Sequence, residues 1–518
     1  MRQSATLLGL CAIHAAIANS KVITADYGSC HDACILLSDA VSVELTGSYV
    51  SDFKQNPTVT DGDSVKSLFW AQQQQSIQPA CLVHIQSPRD VAAVISVSRR
   101  TGCPFAVRGG GKSDIPGASN SDGGITVNMA GLNSVEFDES ESLVRVGAGA
   151  IWGDVYKELE KSNNTVIGGR LTSVGVGGLL LGGGLSHFSG RHGWGCDNIR
   201  SYEVVLANGT LATASKTSNP DLYRALRGGG NNFGVVTRFD LDTFQQGPIW
   251  GGLHVWPLLP SVTSAVTRGF VKFAHDAPSD PYTSLFAGLG FMQGHFAWAV
   301  GQYDTLGRVE PAIFTQFKDD VEVFGSPKIA STARVSSLMD FAEELNNAEP
   351  PGKRSRFTTA TFTADEGLLA LMAHAFVEQV QKALDNGLKE DKLFAPMLGI
   401  QPITKNILKA SADRGENMMG LHDDKAPLIL CSFGWEWSHE SDDEKVIAGI
   451  KSVFDQSVSA AKERGLYHPF KYMNYAAKEQ DPVGSYGDEN IKFLKRVQKV
   501  YDAEGVFSAL VPGGHKIN

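Results

Sequence analysis

The sequence has no excess of basic residues. Its 518 residues include 46 Lys and Arg against 56 Asp and Glu, which gives a formal net charge of −10. Nucleic-acid-binding domains usually carry a basic footprint, and no polybasic stretch is present that would attract an anionic membrane surface. The charge balance therefore argues against a nucleic-acid partner and against an electrostatic membrane anchor.

Long apolar runs are also missing after the first 18 residues. Residues 5–18 are apolar except for His14, follow the positive charge of Arg2 and end on small side chains. This run is shorter than the roughly 20 apolar residues that span a bilayer, and its layout is typical of a secretory signal peptide. We predict a signal peptide at 1–18 and a secreted protein; a buried N-terminal helix is the alternative.

Cysteine is scarce, with seven residues in the chain. Signal cleavage would remove Cys11 and leave an even number, which suits disulfide formation in an oxidising compartment. Six cysteines allow 15 pairings, and the sequence does not choose among them. In a secreted protein, the sequons at Asn163 and Asn208 are candidate glycosylation sites. The cysteines that remain are Cys30, Cys34, Cys81, Cys103, Cys196 and Cys431.

Glycine, in contrast, is abundant. The chain has 55 glycines in 518 residues, whereas about 7% is usual, and the collagen period is absent. The hydrophobic share of 42% and the charged share of 20% are typical of a globular protein. The composition therefore predicts a globular enzyme with tight backbone features, and the length allows two or three domains.

The order of predicted elements changes along the chain. A strand at 81–85, a helix opened by Ser87 and Pro88, and a strand at 105–107 lead into the glycine run. After residue 248 glycine becomes rarer, and alternating strands mix with helices, which predicts an antiparallel sheet in a second domain. The predicted divisions are a signal peptide at 1–18, an N-terminal segment at 19–75, a first domain at 76–247, a second domain at 248–465 and a C-terminal segment at 466–518.

Two nucleotide-binding motifs can be excluded. The sequence GKS at 111–113 matches the end of a P-loop, but Ala106 replaces its first glycine, and Pro116 and Gly117 would break the helix that should follow. A dinucleotide fingerprint fails as well, because its third glycine position is Leu180.

Four glycine-rich or aromatic segments resemble one known family, and they occur in that family's order. The segments are VRGGGKS at 107–113, GGRLTSVGVGGLLLGGG at 168–184, GGGNNFG at 228–234 and YMNY at 472–475. They are similar to those of the berberine-bridge-enzyme-like FAD-linked oxidases of the vanillyl-alcohol-oxidase superfamily. The nearest resemblance is to fungal secreted members that act in secondary metabolism, and it runs from about residue 76 to the C-terminus.

This resemblance implies an α+β fold, in which a two-part PCMH-type FAD-binding domain is joined to a substrate domain whose antiparallel sheet is flanked by helices. The C-terminal segment is then expected to return to the FAD domain. The residues implied to bind FAD are Arg108, Gly109, Gly110, Gly111, Lys112, Ser113, Ser173, Val174, Gly175, Gly178, Gly183, Gly184, Asn198, Val236 and Asn474.

The two positions that bond covalently to flavin in the family differ here. The family usually has histidine at Lys112, and a subset has cysteine at Leu171. Neither replacement is expected to form the bond, so the resemblance implies non-covalent FAD. Lys112 then either stabilises negative charge on the reduced flavin or contacts the pyrophosphate. Val174 aligns with the position that controls oxygen access in the family, and the alternative is that it only packs.

Tyr472, Asn474 and Tyr475 match the family's Y-x-N-Y element, whose side chains approach the flavin. We take Tyr475, and secondarily Tyr472, as candidate catalytic residues, because a phenol near the flavin can accept the substrate proton during hydride transfer. The sequence names neither the substrate nor a metal site: His187 and His192 lack the further ligands a metal would need.

Phe433, Trp435 and Trp437 alternate along one predicted strand, with Glu436 on the opposite face. Alternation alone is typical of a half-buried strand, so we read these aromatics as sheet core rather than as a substrate pocket.

The prediction is an FAD-dependent oxidoreductase that oxidises a small organic metabolite and passes electrons to O2. Loss of both covalent anchors leaves a non-redox cyclase of the same fold as the alternative. A binding protein without flavin is the third reading.

Overall fold

The computed structural model describes residues 29–40, 45–46, 66–317, 324–388, 394–415, 417–421, 425 and 427–517. The predicted signal peptide at 1–18 lies outside these residues. No helix among those described combines the length and apolar character needed to cross a bilayer.

The strands fall into two groups along the chain. Those of the first group are β1 (Leu45–Thr46), β2 (Cys81–His84), β3 (Phe105–Arg108), β4 (Ile125–Asn128), β5 (Val135–Asp138), β6 (Leu143–Gly147), β7 (Asn164–Thr165), β8 (Ile199–Val205), β9 (Leu211–Ser215), β10 (Val235–Asp242) and β11 (Phe244–Gln245). Those of the second group are β12 (Ile249–Pro257), β13 (Thr283–Met292), β14 (His295–Asp304), β15 (Ala330–Ser331), β16 (Arg334–Ser336), β17 (Arg354–Thr363), β18 (Met397–Ile403), β19 (Leu428–Trp437) and β20 (Tyr467–His468).

The α-helices lie between these strands and at both ends of the described chain. They are α1 (Ser29–Ala40), α2 (Gln72–Gln75), α3 (Pro88–Thr101), α4 (Trp152–Leu159), α5 (Val176–Leu181), α6 (Ser189–His192), α7 (Pro220–Leu226), α8 (Pro260–Asp276), α9 (Leu338–Asn347), α10 (Glu366–Asp385), α11 (Lys405–Asp413), α12 (Asp443–Glu463), α13 (Asp488–Tyr501) and α14 (Val506–Ala509).

The first group of strands forms two main sheets. One has the order β1-β2-β4-β3, in which β2, β4 and β3 run parallel, and the other has the antiparallel order β5-β6-β10-β8-β9. Helix α3 connects β2 to β3 and is bounded by local signals, as predicted. The Asp90 carboxylate accepts the Ser87 N–H at 2.7 Å, and Gly102 ends the helix at φ 75°, a conformation that glycine adopts without strain.

The second group forms one large antiparallel sheet with the order β15-β12-β14-β13-β18-β19-β17-β20, and β16 also pairs with β12. Its strand β19 is buried along its whole length because both faces of the sheet are covered. Leu428 and Leu430 pack in a core that the sheet shares with the first two sheets. Ile429 and Cys431 point the other way, into a second core.

Helices α8, α10 and α12 supply the far side of that second core, including Phe270, Phe376 and Val453. The α+β fold with an antiparallel, helix-flanked sheet is therefore confirmed. The domain boundaries at 248 and 466 stay predictions.

The cysteines divide into two pairs and two thiols. Disulfides join Cys30 to Cys103 and Cys34 to Cys81, which fasten α1 to the sheet of β2 and β3. Cys196 and Cys431 are free and buried in different cores, so the even count did not correspond to full pairing.

The C-terminal segment packs on the first group of strands. The Phe105 N–H of β3 donates to the Leu510 carbonyl at 2.7 Å, and the Phe105 ring contacts Phe507 edge-on. Asn231 and Asn232, in the GGGNNFG segment, donate to the carbonyls of Gly513 and His515. The last residues of the chain are thereby held beneath that glycine segment.

The outer edge of β17 is completed by side chains rather than by a strand along much of its length. Three side chains from separate segments bond the β17 backbone at alternate residues: Gln73 both donates to and accepts from Ser355, Asp114 accepts from Phe357, and Gln480 both donates to and accepts from Thr359. These bonds use the N–H and C=O groups that an edge strand leaves unpaired. They attach the N-terminal segment, the glycine loop and the C-terminal segment to the large sheet.

Asp114 makes this edge sensitive to pH. Its carboxylate accepts the Phe357 N–H at 2.9 Å, and burial raises its pKa to about 6, with Arg356 lowering and Glu479 raising it. Because the folded-state pKa lies above the unfolded one, this group stabilises the fold below about pH 4, and that contribution is lost as the pH rises through about 6.

We therefore expect Asp114→Asn to keep the acceptor oxygen and remove the charge. At pH 8 it should raise the free energy of unfolding by about 1–3 kcal/mol, with little change at pH 4. Urea unfolding midpoints at the two pH values measure this effect, and exposed Asp122→Asn is the control. The assignment of this pH effect to Asp114 would be contradicted if the urea midpoint of Asp114→Asn fell between pH 4 and pH 8 as much as that of the unaltered protein.

Candidate active site

The glycine loop after β3 presents backbone donors without acceptors. The N–H groups of Gly110, Gly111, Lys112 and Ser113 donate to no acceptor among the described residues. Gly111 has φ 68°, and a Cβ there would come within 2.3 Å of the Leu68 carbonyl oxygen, so only glycine fits. Successive free N–H groups at a left-handed turn form a concavity suited to an anion, which fits the pyrophosphate of a dinucleotide cofactor.

The second glycine cluster lies directly against this loop. A Cβ at Gly110 would be 2.4 Å from the Gly175 nitrogen, and a Cβ at Gly175 would be 2.4 Å from the Gly110 nitrogen. Nearby, the Ser173 N–H donates to Asn346 Oδ1 at 3.2 Å. Gly178 is exposed, and a Cβ added there would meet no atom within 4 Å. The two clusters therefore meet beside an open surface, as a ligand held at two places requires.

Arg108 lies beneath the loop and is held by protein acceptors. Its Nε donates to the Leu68 carbonyl at 2.9 Å and its Nη1 to Asn128 Oδ1 at 2.8 Å. The guanidinium also lies over the Phe69 ring, and burial lowers its pKa to about 10. Arg108 thus fixes the strand end from which the loop starts and contributes positive charge to it.

Four other predicted cofactor residues are packed inside the protein. Asn198, 3% exposed, donates to the carbonyls of His192 and Trp194, and Val236 is 5% exposed within β10. Gly183 and Gly184 have φ of 122° and 96°. Asn198 and Val236 are thus almost fully buried, and their predicted contact with FAD stays a prediction.

Lys112 belongs to a group of alternating charges. Its Nζ lies 3.1 Å from Glu349 Oε2 and 5.2 Å from the Trp70 ring centre, and the Trp70 Nε1 donates to the Glu349 carbonyl at 3.1 Å. A second ion pair joins Lys353 to Glu436 at 2.6 Å. Burial raises the pKa of Glu436, while Lys353 and Lys112 lower it. No sequence pattern indicated that Lys112 has a carboxylate partner.

Tyr475 carries the hydroxyl that is best placed for proton transfer. Its oxygen accepts from Arg170 Nη2 at 3.1 Å and from Gln401 Nε2 at 3.0 Å, and Arg170 Nη2 also donates to Gln401 Oε1 at 2.6 Å. Two donors on one phenol oxygen stabilise negative charge there when the proton leaves. The side chain is half-buried.

Tyr472 plays a different part. It is buried, and its hydroxyl accepts from the Gly184 N–H at 2.9 Å and from Asn474 Nδ2 at 3.0 Å. Burial raises the pKa of this phenol above its usual value. The Asn474 amide also donates to the Leu179 carbonyl. Tyr472 and Asn474 therefore hold the glycine segment in place, and the catalytic role expected of Tyr472 stays a prediction.

Beside Tyr475, small residues of the large sheet lie next to one another. Gly288 of β13 faces Gly399 of β18, which faces Ser432 of β19. Gly434 follows two positions along, but a Cβ there would be 2.5 Å from the Phe357 ring, which covers it. A Cβ at Gly399, which is half-buried, would find its nearest atoms 3.7 Å away, so crowding does not explain that glycine. Glycine inside a strand often marks the close approach of a ligand. We call residues Gly288, Gly399 and Ser432 the glycine floor.

The charged pairs and the tyrosine lie at opposite ends of this floor. Gln401 pairs with Leu430 in the sheet register, and Glu436 is six residues further along β19. At about 3.3 Å per residue the two ends are about 20 Å apart.

Comparisons with known proteins identify the family. Residues 79–215 match the sequence model of an FAD binding domain. The FAD-dependent monooxygenase tpcD of Cochliobolus heterostrophus is 74% identical over 518 residues, which cover 100% of both chains. The chain belongs to the berberine-bridge-enzyme-like FAD-linked oxidoreductases.

Solved structures of this family share the fold. Berberine bridge enzyme in complex with (S)-reticuline superimposes with a TM-score of 0.73 at 15% identity, over 92% of this chain and 97% of the other. Glucooligosaccharide oxidase from Acremonium strictum, with a 6-S-cysteinyl, 8α-N1-histidyl FAD, has a TM-score of 0.70 at 20% identity, over 92% and 97%. At these identities the likeness concerns the fold alone.

The other sequence predictions near this flavoenzyme site can now be compared with the structure. Phe433, Trp435 and Trp437 pack in the second core, which confirms the sheet-core reading, and Glu436 faces the site instead. His187 packs on Tyr303 at 4.0 Å.

His192 stacks on Phe244 at 4.3 Å, and burial lowers its pKa to about 3. Neither histidine belongs to a cluster of metal-binding side chains among the described residues.

Sequence reasoning missed four residues that shape the site: Arg170, Gln401, Phe286 and Glu349. Arg170 lies inside the glycine-rich segment at 168–184, but nothing in that motif indicated a role for its side chain. Gln401 and Phe286 come to the site through strand register, and Glu349 through the turn after α9. Their sequence surroundings carry no signal for this placement.

The glycine contacts make a paired prediction. Gly110→Ala should force apart the backbones of the two glycine segments and lower the free energy of unfolding by about 2 kcal/mol or more. Gly178→Ala should leave the thermal stability of the flavin-free protein within about 0.5 kcal/mol but reduce bound flavin, because its methyl enters the open surface. Thermal unfolding and the ratio of flavin to protein absorbance measure the two effects. Equal stability of the two variants would contradict the close contact.

Proposed function

We propose that this FAD-linked oxidoreductase oxidises a small organic metabolite with O2 as the electron acceptor, and that it holds FAD without a covalent bond. The observation that carries the proposal is the Tyr475 hydroxyl, held between Arg170 and Gln401 at the edge of the glycine floor. The polarity of that hydroxyl and the small residues of the glycine floor beside it support a reaction on a flat organic substrate.

The residues of this chain have different proposed roles at different positions of the site. When bound, FAD accepts a hydride from a substrate C–H bond. The N–H groups of the loop at residues 110–113 would hold its pyrophosphate, and Gly178 would leave room for it. As a phenolate, Tyr475 would take the substrate proton, and the hydrogen bonds from Arg170 and Gln401 would stabilise the negative charge that its oxygen carries before the transfer. Val174, half-buried beside the contact of the two glycine segments, would leave space for oxygen.

The non-covalent attachment is supported by the two family anchor positions. Lysine at 112 is engaged by Glu349 and Trp70, and the half-buried leucine at 171 has no nucleophilic atom. Residues 1–18, by their composition, and the two disulfides support a secretory location, and the resemblance to fungal enzymes supports a substrate from secondary metabolism.

Monooxygenation is a second candidate reaction, favoured by the name of the relative that is 74% identical. An oxidase returns both oxygen atoms as hydrogen peroxide, whereas a monooxygenase incorporates one into the product. Turnover under ¹⁸O-labelled dioxygen distinguishes the two reactions, because it shows whether the label enters the product. The amount of peroxide formed per oxygen consumed is measured in the same experiment. Turnover without oxygen uptake would instead favour the non-redox cyclase.

Acid precipitation of the purified protein tests the attachment of the cofactor. We expect the yellow flavin absorbance to appear in the supernatant and the denatured chain to show no flavin fluorescence on a gel. Colour that stays with the pellet would show that another residue bonds FAD. Colourless, well-folded protein would contradict the whole proposal.

Tyr475→Phe tests the proposed proton acceptor. We expect anaerobic flavin reduction by substrate to slow by about 10²- to 10⁴-fold with bound flavin unchanged. Tyr472→Phe is the matched control, because it removes the same hydroxyl from the neighbouring tyrosine and should mainly lower stability, by about 1–3 kcal/mol. An equal loss of rate in both variants would refute the separate roles.

A further inference from the structure

Arg170 has donors that the protein leaves unused. Its Nη2 donates to Gln401 and Tyr475, and its guanidinium lies 5.3 Å from the centre of the Phe286 ring. Its Nε and Nη1 donate to no described residue, and neither atom is among the buried polar atoms that lack a partner. These two nitrogens therefore face accessible space beside Tyr475.

No carboxylate of the described residues neutralises this cation. Two buried arginines do have such a partner: Arg227 pairs with Asp197 at 2.8 Å, and Arg354 pairs with Asp443. Arg108, like Arg170, is held by uncharged acceptors. Arg170 forms no ion pair with a described residue. A partly desolvated guanidinium without a counter-charge is costly unless a ligand supplies the charge.

The groups packed around Arg170 keep the local potential positive. Its charge opposes the rise in pKa that burial causes in Tyr156, Tyr303 and Tyr472. Burial and Arg170 together lower the pKa of His187 well below its usual value, so this imidazole is neutral.

The carboxylates that act on these tyrosines are engaged elsewhere. Glu344 pairs with Arg334, and Glu160 accepts the Met339 N–H at 2.8 Å. Neither is an ion-pair partner of Arg170, so no carboxylate of the described residues balances the guanidinium, and a bound anion can supply that charge.

The surface next to this cation suits a flat ring. Phe286 lies under the guanidinium, and the next residue on its face of β13 is Gly288, which faces Gly399. An aromatic ring on the glycine floor would bring a substituent at its rim to Arg170 and the Tyr475 hydroxyl.

We propose that Arg170 recognises an acidic oxygen on the rim of a flat aromatic substrate, either a carboxylate or the ionised oxygen of an acidic phenol or enol. This rests on the proposed function, in which substrate lies on the glycine floor. Since Nη2 is occupied by Tyr475 and Gln401, the anion accepts charge-assisted hydrogen bonds from Nη1 or Nε. The same guanidinium would thus contact both the anionic group of the substrate and the Tyr475 oxygen that takes the substrate proton.

Equilibrium binding to the flavin-loaded protein tests this without turnover. The probes are benzoate, 2-naphthoate and anthracene-2-carboxylate, each against its neutral primary amide, and 2-naphthol against the more acidic 1-nitroso-2-naphthol. Flavin difference spectra and titration calorimetry report Kd. We expect at least one acid to bind at least about tenfold more tightly than its amide. The Kd values of the two naphthols show whether a phenolate binds as tightly as a carboxylate.

Arg170→Met should reduce the preference for acid over amide to within twofold, and Arg170→Lys should retain part of it. Exposed Arg268→Met is the control and should keep the full preference. If Arg170→Met does not fold, the acid-to-amide affinity ratios of the unaltered protein and of Arg170→Lys still test the proposal. No preference for any acidic probe in the unaltered protein, or full preference in Arg170→Met, would overturn the proposal.

The failure of this inference differs from the failure of the proposed function. Flavin-loaded protein that turns over with oxygen but binds acid and amide equally refutes the acidic-oxygen site alone. A role for Arg170 limited to positioning Tyr475 would lower the rate of flavin reduction and leave the acid-to-amide ratio unchanged. Protein that discriminates acids yet consumes no oxygen refutes the oxidase instead.

Discussion

The site depends on the edge of β17 that lacks a neighbouring strand along much of its length. A strand edge must find hydrogen-bond partners, and here they are the side chains of Gln73, Asp114 and Gln480. Each comes from a different part of the chain: the segment before β2, the end of the glycine loop and the segment after the Y-x-N-Y element. Because all three bond one strand, the glycine loop and the tyrosine segment are fixed relative to the large sheet.

The large sheet serves two purposes through its two faces. Trp435 and its neighbours at odd positions of β19 anchor the sheet to α10 and α12, while the even positions face the cofactor side. Strand alternation assigns every second residue to each face, so a small residue such as Ser432 on the even face leaves the second core unchanged. The sheet can therefore be firmly packed on one face while the other face carries small residues beside the proposed site.

Local features could be predicted from the sequence, and non-local ones could not. The bounds of α3 follow from Ser87, Pro88 and Gly102, all within one helix length, and the glycine loop follows from its own composition. The Arg170 contacts with Gln401 and Tyr475 join residues 231 and 305 positions apart. Such contacts depend on register and on packing between the cores, which no single-chain pattern encodes, and the same holds for Lys112 with Glu349.

A cofactor held without a covalent bond, as proposed here, depends on loop geometry that the protein must supply by itself. The ion pairs Lys112–Glu349 and Lys353–Glu436 connect the glycine loop to the turn before β17 and to β19. Desolvation offsets much of the Coulomb attraction in such buried or partly buried pairs, so their net stabilisation is small, whereas a misplaced charge is penalised. Their effect is accordingly to exclude other positions of the loop, which is the positioning that a bond from residue 112 to the flavin would otherwise provide.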